Sequence, residues 1–250
     1  YIIFDEDTDI YWARSRVLEY LSQASAQLPQ TAKPQLGPDA TGVGWVYIYA
    51  LIDRSGAHDI SQLRAFQDYY LKYELQTVSG VSEVATAGGM VKQYQVTINP
   101  EKLRAFGIPL AHVETAIKRG NQVIAASVVE MAEAEYMVTA SGYIKSQEDL
   151  ASIPLGVNQN GTALRLKDIA DIGLGPQMRR AVVDLNGEGE TVGGIIVMSY
   201  AENAQTTIDG VKQKLEQLAQ SLPQGVEIIT VYDRSELIEN AVQNLWHKLL

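Results

Sequence analysis

The chain has 250 residues, 30 Asp and Glu against 20 Lys and Arg, a formal net charge of −10, three His and no Cys. That balance makes it a poor nucleic-acid binder, because duplex binding draws on clustered cations to displace counterions. The missing thiol excludes a disulfide framework, a thiolate metal site and a Cys nucleophile, and fits an oxidising compartment. With 46% apolar and 20% charged residues the chain is globular rather than disordered, and its length suits one or two domains. Its longest unbroken apolar run, Trp45 to Ile52, is too short for a bilayer, which needs about 20 residues.

In chain order, Tyr1–Asp5 reads as a strand. Asp9 can cap a helix whose apolar face is Ile10, Ala13, Val17, Leu21, Ala24 and Leu28, ended by Pro29 and Pro34. Gly37, Pro38, Gly42 and Gly44 form a breaker cluster and a candidate domain boundary. Trp45–Ile52 is a buried strand. Asp59 caps a helix to about Val78, with Leu63, Phe66, Tyr70 and Tyr73 near one face and Gly80 as its stop. Strands follow at Val81–Ala87 and Gln93–Ile98.

The block from Gln93 to Arg180 differs in character. It holds a short helix at Asn99–Gly107, a helix at Pro109–Arg119 and a hairpin of Val123–Val129 with Glu135–Ala140. Ile153–Gly156 and Ala163–Leu166 flank a turn signal at Asn158–Gly161. After it, Gly193-Gly194 reads as a turn before a strand at Ile195–Tyr200. Asn203 caps a helix with Ala204, Ile208, Val211, Leu215, Leu218 and Leu222 in one stripe, stopped by Pro223, and Val226–Val231 is a strand. Val17, Leu21 and Leu28-Pro-Gln30 share their spacing with Val211, Leu215 and Leu222-Pro-Gln224, a weak repeat signal. Asp233-Arg-Ser-Glu236 has capping-box spacing and opens a helix with Leu237, Ala241, Leu245 and Leu249 that meets no Gly or Pro. Both ends therefore lead us to expect a truncated fragment of a longer chain. The pattern predicts an α+β protein of split βαβ layers with an inserted α+β subdomain.

Chemistry is sparse. His58, His112 and His247 are not paired at metal-ligand spacing, and no Gly-x-Ser-x-Gly elbow is present. Gly187-Glu-Gly189 precedes a strand, not a phosphate-cradling helix. Asp5, Glu6, Asp7 and Asp9, like Glu130, Glu133 and Glu135 at the hairpin tip, read as solvated acids. Asn160-Gly-Thr162 is a glycosylation triplet of the kind frequent by chance. The soft ligands are Met90, Met131, Met137, Met178 and Met198, with no Met-x-x-Met cluster. Each taken alone reads as core filling.

Ordered landmarks run through the chain: Asp9-Ile-Tyr-Trp-Ala-Arg-Ser-Arg16, Leu36-Gly-Pro-Asp-Ala-Thr-Gly-Val-Gly44, Val81-Ser-Glu-Val-Ala-Thr-Ala-Gly-Gly89, Ala132-Glu-Ala-Glu-Tyr-Met137, Leu166-Lys-Asp-Ile-Ala170, Gly175-Pro-Gln-Met-Arg-Arg180, Leu185-Asn-Gly-Glu-Gly189 and Tyr232-Asp-Arg-Ser235. With these the sequence resembles the first periplasmic loop of heavy-metal efflux pumps of the RND superfamily. It is most similar to copper/silver (Cus-type) inner-membrane exporters, with zinc/cobalt/cadmium exporters the nearest alternative. The resemblance implies ferredoxin-like porter subdomains: a partial first one at 1–43, a second split across 44–92 and 181–234, an inserted docking subdomain at 93–180, and a helix at 235–250 leading toward a transmembrane segment. It implies a periplasm-facing part of a bacterial inner-membrane protein, not an enzyme, with no cofactor and no nucleic acid. The whole pump would be a proton-driven homotrimer joined to a periplasmic adaptor and an outer-membrane channel. Cu(I) or Ag(I) would be the transported ion, with Met178 and then Met137 as candidate ligands. Proton-relay and principal substrate residues would lie outside this chain. The competing readings are a free-standing periplasmic binding or adaptor module, and a small ferredoxin-like enzyme, for which no Arg/Asn phosphate cradle is apparent.

Overall fold

The computed structural model describes residues 2–29, 31–131, 134–157, 161–179 and 181–249, with the 123–141 hairpin described by its backbone. In chain order come α1 (Ile10–Ser25), β1 (Trp45–Asp53), α2 (Ile60–Phe66), a π-helical turn (Gln67–Leu71), α3 (Lys72–Gln76), β2 (Val81–Gly88), β3 (Lys92–Ile98), α4 (Pro100–Phe106) and α5 (Leu110–Gly120). There follow β4 (Val123–Met131), β5 (Ala134–Ser141), α6 (Gln147–Ala151), β6 (Pro154–Val157), β7 (Ala163–Arg165), α7 (Leu166–Ile169) and β8 (Ala170–Pro176). The remaining described elements are β9 (Val183–Asp184), β10 (Glu190–Met198), α8 (Ala204–Ala219), β11 (Val226–Asp233) and α9 (Arg234–Leu249). The chain forms two compact units, Tyr1–Met90 with Arg179–Leu250, and Val91–Met178.

The first unit is built on an antiparallel sheet of order β11-β1-β10-β2, with β9 beside the start of β10. The α2–α3 crossover carries the chain from β1 to β2, and α8 carries it from β10 to β11. Each crossover skips one place, so a strand of the other half slots between its two ends. This is the interleaved, ferredoxin-like split βαβ arrangement, and it makes the architecture α+β. The predicted stripe on α8 lies against the sheet: Ile208, Val211, Leu215 and Leu218 are all buried. Tyr49 and Leu51 of β1, Ile196 of β10 and Leu71 and Leu75 from the α2–α3 segment join the same core. Burying each large apolar side chain contributes about 1.5–3 kcal/mol, which outweighs the modest helix propensity of these segments.

The helix after Asp59 starts as expected, with Asp59 accepting from the Ser61 and Gln62 amides at 2.8 and 2.9 Å. It does not run evenly. Leu63, Gln67, Leu71 and Leu75 are all buried and recur every four residues. At 3.6 residues per turn such a repeat drifts by about 120° across its three steps. The π-turn absorbs that drift and returns Leu71 and Leu75 to the sheet. Gln67, fully buried there, accepts a hydrogen bond from the Tyr49 hydroxyl at 2.8 Å.

Three local expectations are corrected. Residues 2–5 form no strand, and Ile2 and Ile3 are exposed, because no strand among the described residues offers them a ladder. In α1 only Ala13 is buried, and the helix ends at Ser25 rather than Leu28, since no apolar layer among the described residues covers the rest of its stripe. Gly193-Gly194 is not a turn. Both residues lie inside β10, and Gly194 is needed there because a Cβ would overlap the Tyr49 ring.

The second unit pairs β3 with β8, β4 with β5 and β6 with β7, all antiparallel. Its core gathers Val113, Leu150, Ile153, Leu155, Leu164, Leu166 and Ile169. The Asn99–Gly107 helix forms as its ends dictate. Asn99 accepts from the Glu101 and Lys102 amides, Pro100 occupies the first helical turn, and Gly107 takes φ 67° to end it. The short elements α6, α7 and β8 escape the sequence reading because four to seven residues show too little periodicity. Of the expected Asn158–Gly161 turn, residues 158–160 lie outside the described residues, as do Ala132 and Glu133 at the hairpin tip.

Candidate functional site

Met178 follows β8 in an extended segment. The Gln177 amide donates to Val91 O at 2.8 Å and holds that segment beside the start of β3. Arg179, the next residue, is ion-paired with Glu190. Between these two tethers the Met178 side chain is 85% exposed. Within this structure it packs on neither core cluster, and whether it binds a soft cation is a matter for the proposal below. Met198 behaves oppositely, half-buried against the first unit's core, and Met90 is half-buried as well. Met137 stands in β5 with its backbone opposite Val128, but its side chain lies outside the described residues, as does that of Met131.

Other metal chemistry finds no support in the described residues, where no group of three or more His, Cys, Asp or Glu side chains converges. The histidines are engaged with backbone carbonyls: His58 Nε2 with Gln224 O at 3.3 Å, His112 Nε2 with Leu155 O at 2.8 Å, and His247 Nδ1 with Gln243 O at 3.1 Å. His58 shares a turn with Asp53 and Ser55, but there the Ser55 hydroxyl and the His58 amide both donate to the Asp53 carboxylate. His112 lines a groove of about 400 Å³ between α5 and the start of β6, shared with Thr115, Arg119, Ile153 and Leu155.

The electrostatic knot that sequence reasoning missed is at the junction of β11 and α9. Asp233 was expected to cap the final helix through a box with Glu236. Its carboxylate does cap the helix, accepting from the Ser235 amide and hydroxyl at 2.9 and 2.6 Å, and in addition pairs with Lys212 Nζ of α8 at 2.5 Å. Burial alone would raise the Asp233 pKa, but the Lys212 and Ser235 hydrogen bonds outweigh it and hold the acid below its ordinary range. Lys212 is raised in return, chiefly by its hydrogen bond to Asp233. Only the packing of α8 on β11 could reveal this partner, since Lys212 sits one residue from the apolar stripe and looks like a solvated charge in sequence. The knot anchors α9 to the sheet and carries no reactive group.

The sequence model of the AcrB/AcrD/AcrF family matches residues 1–250. The chain belongs to that family. These are the RND efflux transporters, so the family is one of transporters rather than enzymes. Over all 250 residues the chain is 54% identical to the cation efflux system protein CusA of Escherichia coli (strain K12), of which it covers 24%. It is 33% identical to the cobalt-zinc-cadmium resistance protein CzcA of Cupriavidus metallidurans, again covering 24% of that protein. A crystal structure of a heavy metal efflux pump superposes with a TM-score of 0.81 at 27% identity, covering 96% of this chain and 24% of that one. The chain therefore belongs with the heavy-metal, Cus-type branch suggested by its motifs, and it spans about a quarter of the length of these relatives. No helix among the described residues is long and apolar enough to cross a membrane.

Proposed function

We propose that the chain is the periplasmic porter and docking portion of a proton-driven exporter of monovalent copper or silver. In this reading residues 1–43 belong to a first porter lobe, 44–92 and 181–234 to a second, 93–180 to a docking lobe, and 235–250 lead toward the membrane. The complete pump is a homotrimer of the bacterial inner membrane that engages a periplasmic adaptor and an outer-membrane channel. The observation that carries the choice of ion is the exposed thioether of Met178 in a chain without Cys. A thioether is a soft ligand that favours Cu(I) and Ag(I), whereas zinc and cobalt favour imidazole, thiolate and carboxylate. The higher identity to CusA than to CzcA supports the same choice.

The test is a titration of the chain with Ag(I) and, separately, Zn(II), observed through methyl-labelled methionines by NMR. Ag(I) below millimolar concentration is expected to shift the Met178 methyl while the packed Met198 methyl stays in place, and Zn(II) is expected to shift neither. A Met178 methyl that ignores sub-millimolar Ag(I), or follows Zn(II) equally, overturns the assignment.

A further inference from the structure

The α2–α3 crossover packs into the first unit's own core, and its two halves are held differently. The first half is fixed. Asp59 caps it, and Arg64 both pairs with Asp68 at 2.6 Å and donates through Nη1 to Gly88 O of β2 at 2.6 Å. Gln67 follows, fully buried, accepting from the Tyr49 hydroxyl while its Nε2 donates to Thr86 Oγ1 at 3.5 Å. In the π-turn the Lys72 amide donates to Gln67 O. Beyond it, α3 is held by the burial of Leu71 and Leu75 and by an ion pair from Lys214 Nζ of α8 to Glu74 Oε2 at 2.6 Å.

The buried positions Leu63, Gln67, Leu71 and Leu75 step by four throughout. The α8 stripe on the same sheet, Ile208, Val211, Leu215 and Leu218, steps by three, four and three, as 3.6 residues per turn demands. Removing one residue from the π-turn would give the crossover steps of four, three and four. The π-turn therefore stores one surplus residue. With every residue kept, an unbroken α-helix would carry Tyr70 into the place of Leu71 and Glu74 into the place of Leu75. Tyr70 already leans that way: its ring lies 5.0 Å from that of Phe66, and both pack against the core. Glu74 is the obstacle, because an ionised carboxylate is costly to bury without a partner, and Lys214 holds it outside.

We infer that residues 63–76 form a two-register element. A slip of one residue at the π-turn exchanges Leu71 and Leu75 for Tyr70 and Glu74 at the sheet, and the Glu74–Lys214 ion pair is the latch against it. The slip turns α3 by about 100° and advances it by about 1.5 Å, a discrete step of the kind by which packed helices switch. It changes the outer face of the crossover while α2, α8 and the sheet stay in place. The inference goes beyond the transport reading and does not depend on it.

Amide relaxation dispersion on the 250-residue chain reads the slip. Dispersion is expected at residues 71–78 and not in α2 or α8. Lys214→Met removes the latch and is expected to raise the minor population about threefold, the scale of a partly exposed ion pair. Glu74→Leu removes the obstacle and is expected to reverse the populations, so that the hydrogen-bond scalar coupling to the Gln67 carbonyl moves from the Lys72 amide to the Leu71 amide. Deleting Tyr69, which is 76% exposed, removes the surplus residue. That deletion is expected to abolish the dispersion with a urea midpoint no lower than that of the parent chain. Flat profiles at 71–78 in both the parent chain and Lys214→Met overturn the inference. So does a Glu74→Leu chain that keeps the Lys72 coupling, or a Tyr69 deletion that lowers the midpoint, which would make the π-turn a necessary part of the fold.

Discussion

Replacing Gly194 by Ala is expected to destabilise the first unit by about 2–6 kcal/mol, the sum of two effects. Gly194 lies in β10, in register with Tyr49 of β1 and Thr86 of β2. A Cβ built there falls on the Tyr49 ring, at Cζ and the hydroxyl. The ring has nowhere to go: Tyr49 is fully buried and its hydroxyl donates to Gln67 Oε1. Forcing an extra methyl into such a core costs about 1–3 kcal/mol. Displacing the hydroxyl leaves Gln67 without that partner, for about 1–3 kcal/mol more. Gly193 is the internal control, since its Cβ would lie 3.5 Å from Tyr49 O, an ordinary contact. Urea unfolding followed by tryptophan fluorescence reads the first unit selectively, because Trp12, Trp45 and Trp246 all belong to it. If the two alanine variants unfold within about 0.5 kcal/mol of each other, a difference no larger than that of an ordinary surface substitution, the packing argument is wrong. Adding Tyr49→Leu should remove most of the extra cost of the Gly194 change, as expected for residues in direct contact.

Gln67→Leu alone should cost about 1–3 kcal/mol by stranding the Tyr49 hydroxyl, whereas Gln67→Leu with Tyr49→Phe should be nearly neutral; equal losses in the single and double variants would contradict this. Leu71→Ala, at a fully buried position, is expected to cost about 2–5 kcal/mol, and Leu18→Ala, at a position 54% exposed, less than about 0.5 kcal/mol in the same unfolding assay. Stability should hold from neutral pH down to the ordinary carboxylate value of 3.8 and then fall as pH approaches about 2, because Asp53 is held down to about 2, first by the Ser55 hydroxyl and then by the His58 amide. Asp39, Asp149 and Asp233 are shifted in the same direction. A carboxylate depressed in the folded state contributes stability above its unfolded pKa that is lost on protonation; an unfolding midpoint that instead declines between pH 7 and 5 would exclude these acids as the cause. Met178→Leu should abolish the Ag(I)-dependent methyl shift and leave the urea midpoint unchanged, because the side chain touches no core.

Where one segment carries its own signal, the sequence alone was enough. The α8 stripe from Ile208 to Leu218, the Asn203 and Asp59 caps, the Gly107 stop and the Trp45–Ile52 strand, buried from Val46 to Leu51 except for half-buried Ile48, are matters of periodicity and end chemistry, decided within a few residues. The ordered motifs were likewise sufficient to place the chain in its family.

Tertiary structure decided whatever depends on residues far apart in the chain. The interleaving of β10 between β1 and β2 makes Gly194 a packing residue rather than a turn. The sheet makes a π-turn of the four-residue repeat Leu63, Gln67, Leu71, Leu75, because only a flat apolar surface requires all four to face one way. The approach of α8 to β11 gives Asp233 its cation. Met178 shows the same division. Its presence, and the absence of any competing thiol, are facts of sequence. That its side chain is 85% exposed could be read only from the structure.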